Sequence, residues 1–210
     1  EGGPLSAWRD KVQVLGLPVL LPGEPVPPHT GLRCVFCGSL YPTLREPDFA
    51  LKLFTALNAP DLTLTMAGRG WEPFEAAAQE AQAVLGARFT RPGLLPPAEA
   101  AVLEAGADIL VSLGNAFDNQ MPSKLFSYLG TGKPLLHLAV TDTDPTLPYL
   151  ARYPLALVLH EKDGATPEVI AALRRWLTDV QGKQLPYAQV AALYPEITPG
   201  VVAQTFVARI

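Results

Sequence analysis

Ser123 and Lys124 draw attention because both side chains can hold an anion and the sequence around them indicates the start of a helix. They lie in NQMPSKLFSYLGTGKP, residues 119–134. Pro122 is of the type favoured at the first helical position, and the glycines that follow are typical of a helix end. Free N–H groups and the positive dipole end at a helix start attract phosphate or carboxylate. The pattern predicts an anion site, although an ordinary helix of a parallel sheet can begin in the same way.

Glycines and cations recur in other loops that follow apolar segments. The loops are GSLYPTLREP (38–47), GRGWEP (68–73) and RPGLLPP (91–97). Glycine allows a ligand to approach the backbone closely, and cationic side chains can meet a diphosphate. The residues of this group are Gly38, Arg45, Gly68, Arg69 and Gly93. None of these loops contains a G-x-G-x-x-G or P-loop pattern, so NAD binding and simple nucleoside triphosphate binding lose their usual basis.

Strand-like and helix-like segments alternate from Leu32 onward, and this alternation predicts the fold. We predict strands at 33–39, 62–67, 87–90, 108–113, 135–138 and 156–160. We predict helices at 48–58, 72–85, 98–105, 122–129, 146–152 and 167–180. Such alternation implies an α/β fold, a doubly wound Rossmann-like parallel sheet of about six strands with helices on both faces. Ligands of these sheets bind at the carboxyl ends of the strands, so the loops described above are expected to meet at one edge.

Segments outside this alternation divide the chain. Residues 1–31 are rich in proline and glycine, which predicts a linker or the tail of a preceding domain, and the first residue is not methionine, which suggests a piece of a longer protein. Residues 32–182 form the predicted Rossmann-like domain. Residues 183–210 predict two last helices, at 187–193 and 199–208, which pack on the sheet or cross to an N-terminal domain outside this sequence.

Composition excludes several classes of function. The net charge is −4 and no Lys/Arg run occurs, so binding to nucleic acid through its phosphates is disfavoured. No apolar run reaches the roughly 20 residues of a membrane span, and the first residues lack the layout of a signal peptide. We therefore expect a cytoplasmic location, with membrane contact only through a missing segment.

Cys34 and Cys37 form a C-x-x-C pair in an apolar, strand-like stretch. Redox pairs of this spacing occupy a helix start, whereas residues three apart in a strand point to opposite faces. A zinc site needs further ligands at suitable spacing, and the three histidines are scattered. The two cysteines are therefore predicted to be buried free thiols.

The loops and the segment 119–134 together resemble a known family. The string from Cys34 to Lys162, about two thirds of the chain, is similar to the nucleotide-sugar-binding C-terminal half of two-domain GT-B glycosyltransferases, in particular the branch similar to glycosyltransferase family four. The similar features are GSLYP with a following Arg, AGRG, the strand ADILVSLGN and above all QMPSKLFSYLGTGKPLL. The last matches the family's block of Pro-Ser-Lys, an aromatic residue, Glu-Tyr-Leu, small residues and Gly-Lys-Pro.

The resemblance implies roles for individual residues. It assigns Gly38 and Arg45 to a phosphate-facing loop, and Ser123 and Lys124 to the diphosphate through the helix start. Gly68 would let the ligand approach the second strand. This domain would contribute no catalytic base, and would instead stabilise the charge that grows on the departing nucleoside diphosphate.

The resemblance also implies what is bound. The backbone around Gly93 and Leu94 would hold the base of a nucleotide-diphosphate sugar, which is the donor substrate. No cofactor and no metal is expected. The other implied partner is the protein's own N-terminal, acceptor-binding domain.

The sequence departs from the family at two positions. The family commonly carries two glutamates eight positions apart, one facing the donor sugar and one bonding the ribose hydroxyls, and here Asn119 and Ser127 occupy those positions. Asn119 can still exchange hydrogen bonds with hydroxyls, but Ser127 is too short to replace a carboxylate. Asp118 is a candidate substitute. A charge-assisted contact of about 1.5–3 kcal/mol is then missing or made through water.

Three functions follow from these observations. The first is the donor-binding half of a retaining glycosyltransferase, inactive without its N-terminal domain. The second, motivated by the lost carboxylates, is a degenerate GT-B-like binding or scaffold domain. The third is a sugar-nucleotide epimerase of similar architecture, which would need catalytic acids and histidines that this half scarcely offers. The base, the sugar and the acceptor are left open.

Overall fold

Six parallel strands form one sheet in this protein, whose computed structural model describes residues 8, 11–12, 16, 18–23 and 29–208. The strands are β1 (Leu32–Cys37), β2 (Leu62–Ala67), β3 (Phe89–Thr90), β4 (Ile109–Leu113), β5 (Leu135–Ala139) and β6 (Ala156–His160). Their order across the sheet is β3-β2-β1-β4-β5-β6, and every pairing is parallel. This is the doubly wound order, which confirms the predicted fold class.

Helices cover both faces of the sheet. They are α1 (Asp48–Leu57), α2 (Glu75–Leu85), α3 (Pro97–Ala105), α4 (Lys124–Gly130), α5 (Leu147–Leu150), α6 (Pro167–Val180), α7 (Tyr187–Leu193) and α8 (Pro199–Val207). Helices α1, α2 and α6 contribute to the hydrophobic cluster on one face, and α4, α5 and α7 contribute to the cluster on the other. None of the helices in the described part of the chain is long and apolar enough to cross a membrane.

The side-chain alternation of the strands explains why the sheet is buried on both faces. In β4, Ile109 and Val111 join one core cluster and Leu110 joins the other. The two cysteines follow the same rule, since Cys34 packs in the first cluster and Cys37 in the second. Both are free and buried, as predicted. Burial raises the pKa of the Cys37 thiol to about 12, which makes it a poor nucleophile.

Helix α4 begins at Lys124, two residues later than the sequence pattern predicts. The N–H of Leu125 bonds the carbonyl of Pro122, and the N–H of Phe126 bonds that of Ser123, so the chain makes a tight turn before the helix. Ser123 lies at the cap position of α4, and its side chain makes no capping hydrogen bond. Predicted boundaries elsewhere differ by a few residues. The third strand is half as long as predicted, and only Phe89–Thr90 pair with β2.

The segment after α6 packs against the sheet domain through α7. Val190, Tyr194 and Ile197 are buried in the cluster that α4 also lines. The hydroxyl of Tyr194 donates to the carbonyl of Tyr149 at 2.7 Å. Helix α8 has no buried residue among those described. Of the predicted N-terminal tail, most lies outside the described residues, but Leu20 is fully buried in the same cluster.

Three loops at the carboxyl edge pack backbone against backbone, and Gly68 is the residue that permits this. Its φ is +148°, and a Cβ at this position would lie 1.7 Å from the carbonyl oxygen of Gly38. The N–H of Gly68 also donates to the carbonyl of Gly93 at 2.8 Å. No side chain fits between these backbones, so the approach of the loops after β1, β2 and β3 depends on glycine here.

We therefore expect Gly68→Ala to lower the free energy of unfolding by about 3 kcal/mol or more, because backbone must move to admit the methyl group. Gly182→Ala is the matched control. Its φ is +71°, but no atom lies within 4 Å of the added Cβ. It should cost only about 1 kcal/mol for the left-handed conformation. Urea denaturation of both variants measures the difference, and equal losses would contradict the packing argument.

Candidate functional site

The edge between β1 and β4 is where the chain changes direction across the sheet, and a cavity of about 260 Å³ opens there. Connections leave β1 toward one side of the sheet and β4 toward the other, so no helix closes the gap between their carboxyl ends. The wall of the cavity includes Gly38, Arg45, Ser123 and Lys124. Four of the residues singled out from the sequence are thus brought together, although they lie as far apart in the chain as positions 38 and 124.

Arg45 is fixed by Asn115, a residue that the sequence analysis did not single out. Two guanidinium nitrogens, Nε and Nη2, donate to Asn115 Oδ1 at 3.0 and 2.7 Å, and Nη1 donates to the carbonyl of Ser39 at 3.3 Å. The N–H of Ala116 bonds the carbonyl of Leu44 at 2.8 Å, so side chains and backbone both tie these two loops together. Burial lowers the pKa of Arg45 from its usual value, which for a guanidinium still leaves the group charged.

Asn115 is itself almost fully buried, with 3% of its surface exposed, and it lines the same cavity. Because Arg45 has only donors, the oxygen of the Asn115 amide must face it. Asn115 Nδ2 therefore points away from Arg45, and it has no hydrogen-bond partner among the described residues. A buried N–H donor without a partner destabilises the fold by about 1–3 kcal/mol. An oxygen atom of a ligand could accept this hydrogen bond if the loop moved to expose the amide.

Lys124 carries the second positive charge at the cavity. Its Nζ donates to the carbonyl of Cys37 at 3.0 Å and to Glu104 Oε1 at 2.6 Å. The same carboxylate oxygen accepts from the hydroxyl of Tyr128 at 3.1 Å. An ammonium group has three donors, so one N–H of Lys124 is left for a ligand. Burial, followed by the charge of Glu104, raises the pKa of Tyr128 well above its usual range, so this hydroxyl stays a donor.

Glu104 belongs to the last turn of α3, which a second lysine also holds. Lys133 is 1% exposed and its Nζ donates to the carbonyls of Glu104 and Ala105 at 2.9 and 2.5 Å. These carbonyls lie at the negative end of the helix dipole, which favours a cation. Burial lowers the pKa of Lys133 to about 8, against the opposing charges of Asp108 and Glu104. Lys124 and Lys133 together fix α3 beside the cavity.

The other predicted residues are not part of the cavity wall, which is formed by described residues. Gly68 and Gly93 lie behind Gly38 in the backbone packing of the loops. The others are exposed: Arg69, Leu94, Asp118, Asn119 and Ser127. Ser127 donates its hydroxyl to the carbonyl of Lys124 at 2.8 Å, within its own helix. Arg69 approaches the hydroxyl of Tyr41 and, by hydrogen bonding, holds the pKa of that phenol below its usual value.

Metal ligands do not converge in the described part of the chain. No group of three or more His, Cys, Asp or Glu side chains comes close enough there to hold a metal ion. The cations at the cavity are side chains, Arg45 and Lys124, and these are the groups that can balance the charge of an anionic ligand.

Solved structures of glycosyltransferases are similar to this chain in fold. The chain is similar to the lipopolysaccharide outer core galactosyltransferase WaaB, with a TM-score of 0.61 and 16% identity, over 94% of this chain and 54% of that one. The pneumococcal O-GlcNAc transferase GtfA, solved with UDP and GlcNAc, gives 0.62 and 12%, over 92% and 38%. Sucrose-phosphate synthase from Thermosynechococcus elongatus gives 0.61 and 16%, over 98% and 54%. The fold is one found in GT-B glycosyltransferases.

At these identities the similarity shows the fold alone. The chain spans about half the length of two of these proteins, at 54%, and less of GtfA, at 38%. No protein-family model matches the chain, and no curated protein sequence matches it. The role of the cavity must therefore be argued from its own residues.

The contacts of Lys133 predict a pH dependence of stability. Its pKa is about 8 in the folded protein, below the value of about 10.4 in an unfolded chain. Between these values the unfolded chain binds more protons, so this residue makes the free energy of unfolding rise with pH. We expect the wild type to gain up to about 3 kcal/mol relative to Lys133→Met between about pH 8 and pH 10.4.

Urea denaturation at a series of pH values measures this difference. The matched control is Lys52→Met, which removes an exposed lysine on α1 and should leave the pH dependence as in the wild type. If the free energies of unfolding of the wild type and Lys133→Met change in parallel with pH, the lowered pKa of Lys133 is not the source of the pH dependence.

Proposed function

We propose that this chain binds a nucleotide-diphosphate sugar and forms the donor-binding part of a retaining glycosyltransferase. In this proposal the sugar passes to an acceptor held by an N-terminal domain of the same protein, so the chain alone has no transfer activity. Neither a metal ion nor a cofactor takes part. The observation that carries the proposal is the cavity at the β1/β4 edge, lined by both Arg45 and Lys124.

The charges at the cavity suit the group that leaves in sugar transfer. When the bond between the sugar and the diphosphate breaks, negative charge grows on the departing phosphate oxygens. Arg45 retains two guanidinium N–H donors beyond those bonded to Asn115 and Ser39, and Lys124 retains one. Both groups are held before the ligand arrives, so little reorganisation is needed to stabilise the new charge.

Neighbouring loops offer surfaces for the rest of the donor. The carbonyl of Gly93 accepts from Gly68, so the backbone of the third loop stands next to the second, where the resemblance would put the base. The side chain of Leu94 is 69% exposed there and offers apolar surface to a planar ring. Asp118 and Asn119 are exposed near the other end of the site and would meet hydroxyls of the sugar or ribose only after the loop between β4 and α4 folds over a ligand.

One observation favours a second candidate, a degenerate binding or scaffold domain. Asn119 and Ser127 stand where the family that the chain resembles carries carboxylates, and both are exposed and outside the cavity wall. Lys124 is already paired with Glu104, so a diphosphate must compete for it or share it. A domain of this kind would keep the fold and bind nucleotide sugars weakly or not at all.

Titration with UDP, GDP and their sugars by calorimetry separates the two candidates. We expect at least one nucleotide sugar to bind, and Lys124→Ala to weaken that binding about tenfold or more, because a charge-assisted hydrogen bond is lost. Lys52→Ala removes an exposed lysine of α1 and is the control. Absence of binding to every nucleotide at about millimolar concentration, or unchanged affinity in Lys124→Ala, would overturn the donor-binding role.

Ser127→Glu tests the register of the resemblance. If Ser127 stands where the related enzymes bond the ribose, the new carboxylate restores a charge-assisted hydrogen bond and tightens nucleotide-sugar binding about tenfold. Ser127→Gln has nearly the same shape without the charge and should tighten binding less. If the glutamate variant binds no better than the wild type in the same titration, the proposed alignment of this position is wrong.

A further inference from the structure

A fully packed polar cluster lies under the cavity, and the proposed donor site makes no use of it. Its members are Ser112, His137, Asp144 and Thr146, whose exposed fractions are 8%, 0%, 3% and 0%. Ser112 and His137 are direct neighbours in the register of β4 and β5. Asp144 and Thr146 come from the turn between β5 and α5. Such a group in an apolar core is stable only if its hydrogen bonds are satisfied.

The hydrogen bonds form one continuous chain from the loop after β5 to the cavity. Asp144 Oδ1 accepts from the backbone N–H and the hydroxyl of Thr146 at 2.8 and 2.7 Å. Asp144 Oδ2 lies 3.0 Å from His137 Nε2, and His137 Nδ1 lies 3.1 Å from Ser112 Oγ. Ser112 is on the cavity wall, as Lys124 is. The cluster thus ends on a residue of the cavity wall, next to the proposed ligand.

The ionisation of Asp144 fixes one proton of the histidine. Burial alone would raise the pKa of Asp144, but the hydrogen bonds from His137 and Thr146 outweigh it and hold the pKa below its usual value. An ionised carboxylate only accepts hydrogen bonds, so the hydrogen between Asp144 and His137 is carried by Nε2. Any second proton on the ring must therefore bind at Nδ1.

The state of Nδ1 sets the direction of the Ser112 hydroxyl. With a neutral imidazole, Nδ1 accepts the hydroxyl hydrogen, and Ser112 shows only oxygen lone pairs to the cavity. With an imidazolium, Nδ1–H donates to Ser112 Oγ, and the hydroxyl hydrogen is free to bond a ligand oxygen. An anion in the cavity favours the second state, because it needs a donor and because it attracts the positive charge of the ring.

We infer that Ser112 is a further ligand-contacting residue of this site, that it donates to a phosphate oxygen of the bound nucleotide sugar, and that binding is coupled to uptake of a proton by His137. His137 and Asp144 act through Ser112 and are positioning residues. The proton comes from solvent and adds to Nδ1, and no covalent bond is made or broken. This inference rests on the proposed function, since the anion it needs is the diphosphate.

The other charged groups described near His137 are bonded to partners of their own and do not contact its ring. From β6, Val158 flanks the ring in register. Farther along the same edge, His160 lies 3.3 Å from Asp142, and Lys162 also bonds Asp142, so these three form a separate group. At the cavity, Glu104 is bonded by Lys124 and Tyr128. Asp144 is the charged side chain in contact with His137 among the described residues.

The test is calorimetric titration of the full chain with UDP-glucose and GDP-mannose in two buffers of different ionisation enthalpy, Hepes and Tris. These ligands have no phosphate group that titrates near neutral pH, and neither buffer is a phosphate that would compete for the site. We expect the wild type to take up about half a proton or more per ligand bound, and its affinity to fall as the pH is raised.

Three variants separate a proton-coupled contact from a structural role. Ser112→Ala is expected to weaken binding about tenfold and to lower proton uptake by at least half. Ser112→Thr keeps the hydroxyl and should retain the uptake. His160→Gln removes the other histidine of this edge and should change neither quantity. His137→Gln should abolish the uptake, and if it does not fold, the wild type and Ser112→Ala decide.

Each result bears on a definite statement. Binding of a nucleotide sugar without proton uptake overturns the inference and leaves the proposed function standing. Unchanged uptake in Ser112→Ala also overturns it, because the hydroxyl would not be the coupled group. No binding of either ligand to the wild type overturns the inference, because the anion on which it depends does not enter the site. The proposed function falls with it when the other nucleotides and nucleotide sugars also fail to bind.

Discussion

The parallel pairing of β1 with β4 is the constraint on which the rest of this structure depends. These strands are neighbours in the sheet although β2 and β3 lie between them in sequence. Because crossovers are right-handed, the chain leaves the two strands toward opposite sides, and an open edge remains between their carboxyl ends. The cavity, its two cations and the polar cluster below it all occupy this edge, so the position of the site follows from the topology.

The loops at that edge are joined to one another before any ligand binds. Gly68 permits backbone contact among three of them, and the Arg45–Asn115 pair fastens the first loop to the fourth. Lys124 is held in turn by Glu104. Each cation is thus paired with a polar group, and the Arg45–Asn115 contact is partly buried, where an electrostatic contact is stronger than in water. A site whose cations are already positioned loses little conformational entropy when a ligand binds, which favours affinity. The ligand must, however, compete with the groups that hold these cations.

The sequence predicts most of the fold because the strands are apolar runs with regular helices between them. It predicts the start of α4 less well, since Pro122 and Ser123 satisfy the pattern of a helix start while their carbonyls accept from residues three positions on. Asn115 and Glu104 escaped prediction for a different reason. Their partners are 70 and 20 positions away in the chain, and no local pattern marks such a contact. Ser112 and His137 look like ordinary strand residues until the register of β4 and β5 makes them neighbours.

Two groups of the predicted site residues differ in their position relative to the cavity. Gly38, Arg45, Ser123 and Lys124 share the cavity wall, whereas Asp118, Asn119 and Ser127 lie exposed outside it. Residues of the first group are fixed by the strands and by the turn before α4. Asp118 and Asn119 belong to the loop between β4 and α4, whose conformation a ligand can change. The pattern of strands and helices in the sequence therefore does not predict where these two side chains lie.

A crystal structure of the chain with UDP-glucose or GDP-mannose, whichever binds more tightly, tests the central claim most directly. The claim is that the cavity at the β1/β4 edge holds the diphosphate of a nucleotide sugar. The account predicts phosphate oxygens within about 3 Å of Lys124 Nζ and of the Arg45 guanidinium. A nucleotide seated elsewhere, such as the groove between α3 and the sheet that Thr65 and Val102 line, would contradict it.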